Sequence, residues 1–245
     1  MITALLSLAL LAPAPAGAGG VPPVVSLSAM PSRVLVDARG TTRVEVANRG
    51  RSAIRVSASP EGLALDLRGR PTLRRATASR WLRVAPRELS LLPGRSSTLT
   101  VHSSAPPKAE PGDHHAVLLL TTRPLARGGV SVRMRVGVRV VIRVPGTIVR
   151  RVRIERLRVL RGRRLEVTLA NAGNVTEELA RGRLRLELRR AGRLLARLHA
   201  PRRELLPHAR AVVSFGYPRR VRGTVTAVVA IRDGPHRSFR VGAGR

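Results

Sequence analysis

Three short stretches occur twice in this 245-residue chain, in the same order. VEVANRG at 44–50 is answered by VTLANAG at 167–173, and LLPG at 91–94 by LLPH at 205–208. GDHHAVLLL at 112–120 is answered more loosely by GTVTAVVAI at 223–231. Asn48 and Asn171 lie 123 residues apart, Pro93 and Pro207 114, and Gly112 and Gly223 111. One β-sandwich module takes about 100 residues. The repetition therefore predicts two copies of one fold, joined near Val144-Pro145-Gly146. Each landmark also has a local reading. Asn-x-Gly after a strand suits residues that tolerate positive φ. Pro93-Gly94 suits the centre of a type II turn, where Pro presets φ and Gly accepts the left-handed conformation.

Between the landmarks, apolar residues alternate with polar ones, and Gly, Pro or Asn-x-Gly returns every ten or so residues. That is the pattern of an all-β sandwich rather than of helices. Strands are predicted at 24–28, 33–37, 41–47, 52–58, 79–84, 96–103, 114–122 and 130–144. Past Pro145-Gly146 they continue at 148–159, 163–170, 183–189, 193–199, 210–215, 222–231 and 236–241. In the strand after Pro93-Gly94, Leu99 and Val101 share the face that would be core.

The chain opens on MITALLSLALLA and then PAPAGAGG. An apolar run followed by small residues has the form of a secretory leader, with Ala-x-Ala sites at 14–16 and 16–18. Cleavage is expected near residue 18, and Pro13 and Pro15 argue against a spanning helix. The 227 residues that remain suffice for two domains, expected at 19–145 and 146–245. The sequence holds no Cys, so there is no disulfide or lipid-anchored thiol, and no LPxTG-like sorting signal occurs. With aromatics at only 2%, each core must rest on Val, Leu and Ala.

The net charge is +32, from 46 basic residues against 14 acids, and Lys108 is the only lysine. A GC-rich codon bias accounts for Arg over Lys but not for the shortage of acids. A field this positive holds polyanions whatever its origin. Nucleic acid is a poor fit: single-strand binders interleave basic residues with stacking aromatics. Here the aromatics are Trp81, Phe215, Tyr217 and Phe239, with no helix-turn-helix, zinc finger or RNP-type motif.

The run RWLRVAPRELSLLPGRSSTLTVHSSAPPKAEPGDHHAVLLL, with Trp81, Pro86, Leu92-Pro93-Gly94 and Pro111-Gly112-Asp113-His114, carries a family resemblance. VSVRMRVGVRVVIRVPG at 130–146 and VTLANAGN at 167–174 add to it. These motifs resemble the WxL-interacting cell-surface proteins of Gram-positive bacteria and, more distantly, the immunoglobulin-like domain of periplasmic pilus chaperones. The resemblance spans residues 25 to 232. It implies an extracytoplasmic, immunoglobulin-like protein that binds peptidoglycan or surface partners. Such family members usually carry a C-terminal membrane helix and basic tail, whereas this chain closes on GAGR. Membrane contact is therefore expected to be at most peripheral.

Within 130–144, Val132, Met134, Val136, Val138, Val140, Ile142 and Val144 share one face, and Arg133, Arg135, Arg139 and Arg143 share the other with Gly137 and Val141. The stripe reads as the charged solvent face of a core strand, or as a grip for phosphates or carboxylates. A third reading places the strand at an edge, pairing with a partner's strand. Trp81, the sole Trp, reads as core or rim packing or as a carbohydrate platform. His114 and His115 are neighbours on a strand and point to opposite faces, a poor metal pair. Glu177-Glu178 in NVTEE is expected to be solvated. No HExxH, G-x-S-x-G, phosphate-cradling loop or paired carboxylates occur, so neither enzyme chemistry nor a cofactor is expected. The expectation is a secreted, non-catalytic, cell-wall-associated envelope protein of two tandem immunoglobulin-like modules. It would bind anionic wall polymer, peptidoglycan or a surface protein through Arg133, Arg135, Arg139, Arg143 and Trp81. The alternative is an assembly chaperone or adaptor for a secreted surface or pilus-like protein, acting by strand pairing.

Overall fold

The computed structural model describes residues 24–74, 76–123, 133–179, 182–219 and 221–243. The leader at 1–18 and the strand start at 130–132 lie outside the described residues. The first ten strands are β1 (Leu27–Met30), β2 (Arg33–Asp37), β3 (Thr41–Asn48), β4 (Ile54–Leu65), β5 (Pro71–Arg74), β6 (Leu82–Ala85), β7 (Glu88–Leu91), β8 (Ser96–Ser103), β9 (Gly112–Arg123) and β10 (Arg135–Val144). Nine more follow: β11 (Val152–Leu160), β12 (Arg164–Asn171), β13 (Glu177–Leu179), β14 (Leu184–Arg190), β15 (Arg193–His199), β16 (Arg203–Leu205), β17 (Arg210–Gly216), β18 (Gly223–Ile231) and β19 (His236–Ala243). A single 3-10 turn, Thr77–Trp81, interrupts the strands among the described residues. It takes the first part of the strand expected at 79–84, which begins only at Leu82.

The fold is all-β and immunoglobulin-like. In the first half, a sheet ordered β1-β3-β8-β6 faces one ordered β2-β10-β9-β4-β5, with β7 also on β4. In the second half, β11-β12-β17 faces β15-β14-β18-β19, and β13 pairs with β16. Alternation places the cores. Val44, Val46, Leu99, Val101, Val138, Val140 and Ile142 are fully enclosed between the first two sheets. Leu165, Val167, Leu169, Leu184, Leu186, Leu188, Val213 and Val229 do the same between the second pair. The two clusters share no residue. Each such side chain contributes about 1.5–3 kcal/mol by leaving water.

The repeated landmarks do the same mechanical work twice, though not all in the expected way. Neither Asn-x-Gly stretch adopts positive φ. Instead Asn48 and Asn171 are buried at 0% and 2% exposure. Asn48 Nδ2 donates to the carbonyls of Ser52 (2.8 Å) and Leu91 (3.0 Å), and its Oδ1 accepts the Gly50 N–H (3.0 Å). Asn171 repeats this with Val175 (2.8 Å), Leu205 (3.2 Å) and Gly173 (2.9 Å). Each Asn thus ties a strand end to two other segments. The Pro turns are also paired. Arg95 N–H closes on Leu92 O (3.1 Å) with Gly94 at φ +71°. Ala209 N–H closes on Leu206 O (3.2 Å) with His208 at φ +56°.

Candidate functional site

β10 carries the Arg stripe, and its two ends differ. It pairs antiparallel with β9 along its whole length, Arg135↔Thr121 to Val144↔Gly112. On the other side it pairs in parallel with β2, but only from Arg139↔Arg33 to Arg143↔Asp37. The strand is therefore interior at its C-terminal end and an edge at its N-terminal end. Backbone groups alternate sides along a strand. Met134 and Thr122 exchange bonds on the β9 side (2.9 Å from Met134 N–H to Thr122 Oγ1, 2.9 Å from Thr122 N–H to Met134 O). Arg139 N–H turns the other way, to Ser32 O (2.9 Å). By this alternation Arg135 and Gly137 also face the β2 side, where no described strand is paired to them. Along the same stretch Met134 and Val136 are only partly buried against the core, whereas Val138 is fully enclosed. Met30 and Leu35, on β1 and β2, are 68% and 61% exposed.

The stripe divides at the same point. Arg133 and Arg135 are exposed and form no ion pair among the described residues. Arg139 grips Glu204 with two hydrogen bonds (2.5 and 2.8 Å), and Arg143 Nε meets Asp113 (2.5 Å). Between them Val141, on the face expected to meet solvent, is 1% exposed. This face is covered by the second half of the chain. Arg33 reaches Glu178 (3.0 Å) and Glu204 (3.5 Å). Asp113 accepts the Thr176 N–H (2.9 Å) and gives its own N–H to Asn174 O (2.8 Å). That close approach needs Gly112: its φ is +119°, and a Cβ there would lie 2.0 Å from Asn174 O.

His115 sits inside this network with its Nε2 against Thr176 Oγ1 (2.8 Å). Burial, and then the charge of Arg139, push its imidazole down to about 4. Burial alone would raise the Glu204 and Asp113 carboxyls. The Arg139 and Arg143 hydrogen bonds and charges outweigh it, and both end below their ordinary values. Glu177, expected to be solvated, is 1% exposed and held by Arg150 (3.1 Å) and Arg183 (2.8 Å). Trp81 is half-buried against the first core, with its ring 4.7 Å from that of His114 at 58°. The structure thus brings Arg139 and Arg143 together with Asp113, which the sequence showed only as part of a family motif, and with Glu204 and Arg33, which it did not single out. Arg133 and Arg135 stay apart on the open edge.

No protein-family model matches the chain, and no curated protein does. Solved structures do. The YadV chaperone aligns at 11% identity with a TM-score of 0.52, over 89% of this chain and 99% of that one. A chain from the solved structure of a chaperone–tip adhesin complex, one vital for synergistic activation of CFA/I fimbriae biogenesis, aligns at 10% identity with a TM-score of 0.53, over 89% and 100%. At such identities the likeness is one of fold. It agrees with the pilus-chaperone side of the sequence resemblance, and no finding supports the WxL-interacting side. What these comparisons establish is an all-β, immunoglobulin-like chain with the fold of fimbrial chaperones.

Proposed function

We propose that this chain is a non-catalytic, exported assembly chaperone or adaptor that holds a secreted surface protein by strand pairing along Arg133–Val138. The observation that carries the reading is the early end of β2. It leaves the outward backbone groups of Arg135 and Gly137 unpaired beside the partly buried Met134 and Val136. An added strand would gain main-chain hydrogen bonds there, and its apolar side chains would cover Met134 and Val136. The fold shared with the fimbrial chaperones supports this use of the edge. Export through the leader at 1–18 and a division into modules at 19–145 and 146–245 belong to the same proposal, the latter supported by the two separate cores.

One substitution separates strand pairing from charge. Arg135→Pro removes an N–H that points away from β9, so the native ladder stays whole. Arg135→Ala removes the guanidinium and keeps the N–H. The chain is incubated with the extracytoplasmic protein fraction of its source cells, and with purified cell walls, at low and high salt. Strand pairing predicts a protein complex that survives salt and Arg135→Ala but not Arg135→Pro. Attraction of anionic wall polymer predicts wall binding that fades with salt and ignores Arg135→Pro. That second outcome would overturn the chaperone reading.

A further inference from the structure

A second concave surface lies away from the open edge and does not depend on strand pairing. The Asp66–Arg70 turn that links β4 to β5 projects over the outer face of the β11-β12-β17 sheet. The groove between them has a volume of about 480 Å³. The turn is rigid. Asp66 Oδ1 accepts the N–H groups of Arg68 and Arg70 (both 2.8 Å), Gly69 N–H returns to Asp66 O (2.9 Å), and Gly69 takes φ +80°. It is also anchored at one side of the groove, because Leu67 O accepts the N–H of Val212 on the edge strand β17 (2.6 Å) and the Arg203 guanidinium donates to Arg68 O. Arg68 is thereby held at the mouth.

The groove's other cations come from the sheet. Register places Arg156 beside Thr168 and Val212, and Arg158 beside Glu166 and Ser214. Arg210, also in the lining, is taken by Glu155 (3.0 Å), and Glu166 accepts the Ser214 hydroxyl (3.2 Å). Arg68, Arg156 and Arg158 are exposed and meet no carboxylate among the described residues. Three unpaired guanidiniums therefore surround a hollow whose floor offers the Thr168 hydroxyl.

We propose that this groove binds a phosphoryl group. A single carboxylate is satisfied by one guanidinium fork. A phosphomonoester carries more charge and three terminal acceptor oxygens, and a phosphodiester presents two terminal oxygens in a tetrahedral rather than planar array, so either uses donors from more than one guanidinium. The apolar Leu67 and Val212 at one side would take the carbon skeleton to which the phosphate is attached. The source is a small phosphomonoester or the repeating phosphodiester of a polymer.

Calorimetric titration of the whole chain at about 0.15 M salt distinguishes the sources. The probes are glycerol 3-phosphate, a glycerol-phosphate polymer, and succinate as a carboxylate of similar charge. Two triple variants lower the charge equally: R68Q/R156Q/R158Q in the groove, and R83Q/R87Q/R95Q at exposed arginines elsewhere. Saturable phosphate binding should weaken tenfold or more in the groove variant and less than about threefold in the other, since charge-assisted hydrogen bonds are worth more than diffuse attraction. Binding should also slow hydrogen exchange at the Val212 amide, which seats the turn. Response to both phosphate probes assigns a phosphoryl end group, and response to the polymer alone assigns an internal diester. Equal weakening in the two variants, succinate bound as tightly as phosphate, or no saturable binding would each overturn the proposal.

Discussion

Replacing Asn48 and Asn171 by Ala, one at a time, tests both the repeat and the independence of the halves. Each Asn donates to two carbonyls and accepts one N–H in a buried site, at distances between 2.8 and 3.2 Å. Ala removes all three bonds and leaves two acceptors and a donor without a partner. A buried polar group left unsatisfied costs about 1–3 kcal/mol, and water entering the small void recovers part of it. The expected loss is about 3–5 kcal/mol in either half. For a unit of about 100 residues this lowers the melting point by more than about 12 °C. Differential scanning calorimetry is the assay. With separate cores, Asn48→Ala should shift one transition and Asn171→Ala the other. A loss below about 1 kcal/mol would refute the claim that these residues tie the strand ends together. A single transition lowered equally by both variants would refute the division into two modules.

The remaining expectations concern the buried charges and the contact between the halves. His115 titrates near 4 when folded, against about 6.5 when unfolded. The unfolded chain therefore binds the proton more readily, and stability is full above about 6.5 and falls as pH drops towards 4. The drop, roughly 3 kcal/mol, should appear in urea titrations and shrink in His115→Gln; an unchanged profile in that variant would refute the assignment. Glu177→Gln weakens the bonds of the buried carboxylate to the more solvent-exposed Arg150 and Arg183 and should cost about 1–2 kcal/mol, read by thermal denaturation. Gly112→Ala would drive its methyl into Asn174 O. It should speed amide exchange at Asp113 and Thr176 while leaving the Gly50 amide protected.

Period-two alternation made most of the sheet legible, because a strand with one buried face has to repeat at that spacing. β2, β8 and β15 fall on the residues expected of them. The four strands that alternation missed, β5, β7, β13 and β16, have only three or four residues each. So few positions cannot display a period, and these strands exist because longer neighbours offer them an edge. The Asn landmarks were visible as repeats, but their role was not. Burial of Asn48 depends on the Leu91 carbonyl, 43 residues away, which no local pattern announces. Glu177 was hidden for the same reason, since Arg150 lies 27 residues upstream.

The Arg stripe shows most clearly what alternation leaves open. Alternation assigns a residue to a face but does not say what covers that face. Arg139 and Arg143 share a face with Arg133 and Arg135, yet only the first pair is met by acids, Glu204 and Asp113. The division falls where β2 begins, at Arg33 opposite Arg139. On one side of that point the strand is paired on both edges and roofed by the second half. On the other side it keeps one open edge, two unpaired cations and a partly buried apolar face. The same ten-residue strand is therefore paired on both edges at one end and on a single edge at the other. In the proposed chaperone reading, β2 occupies that edge from Arg139 onward and so confines an incoming strand to Arg133–Val138, while the second half covers the adjoining face.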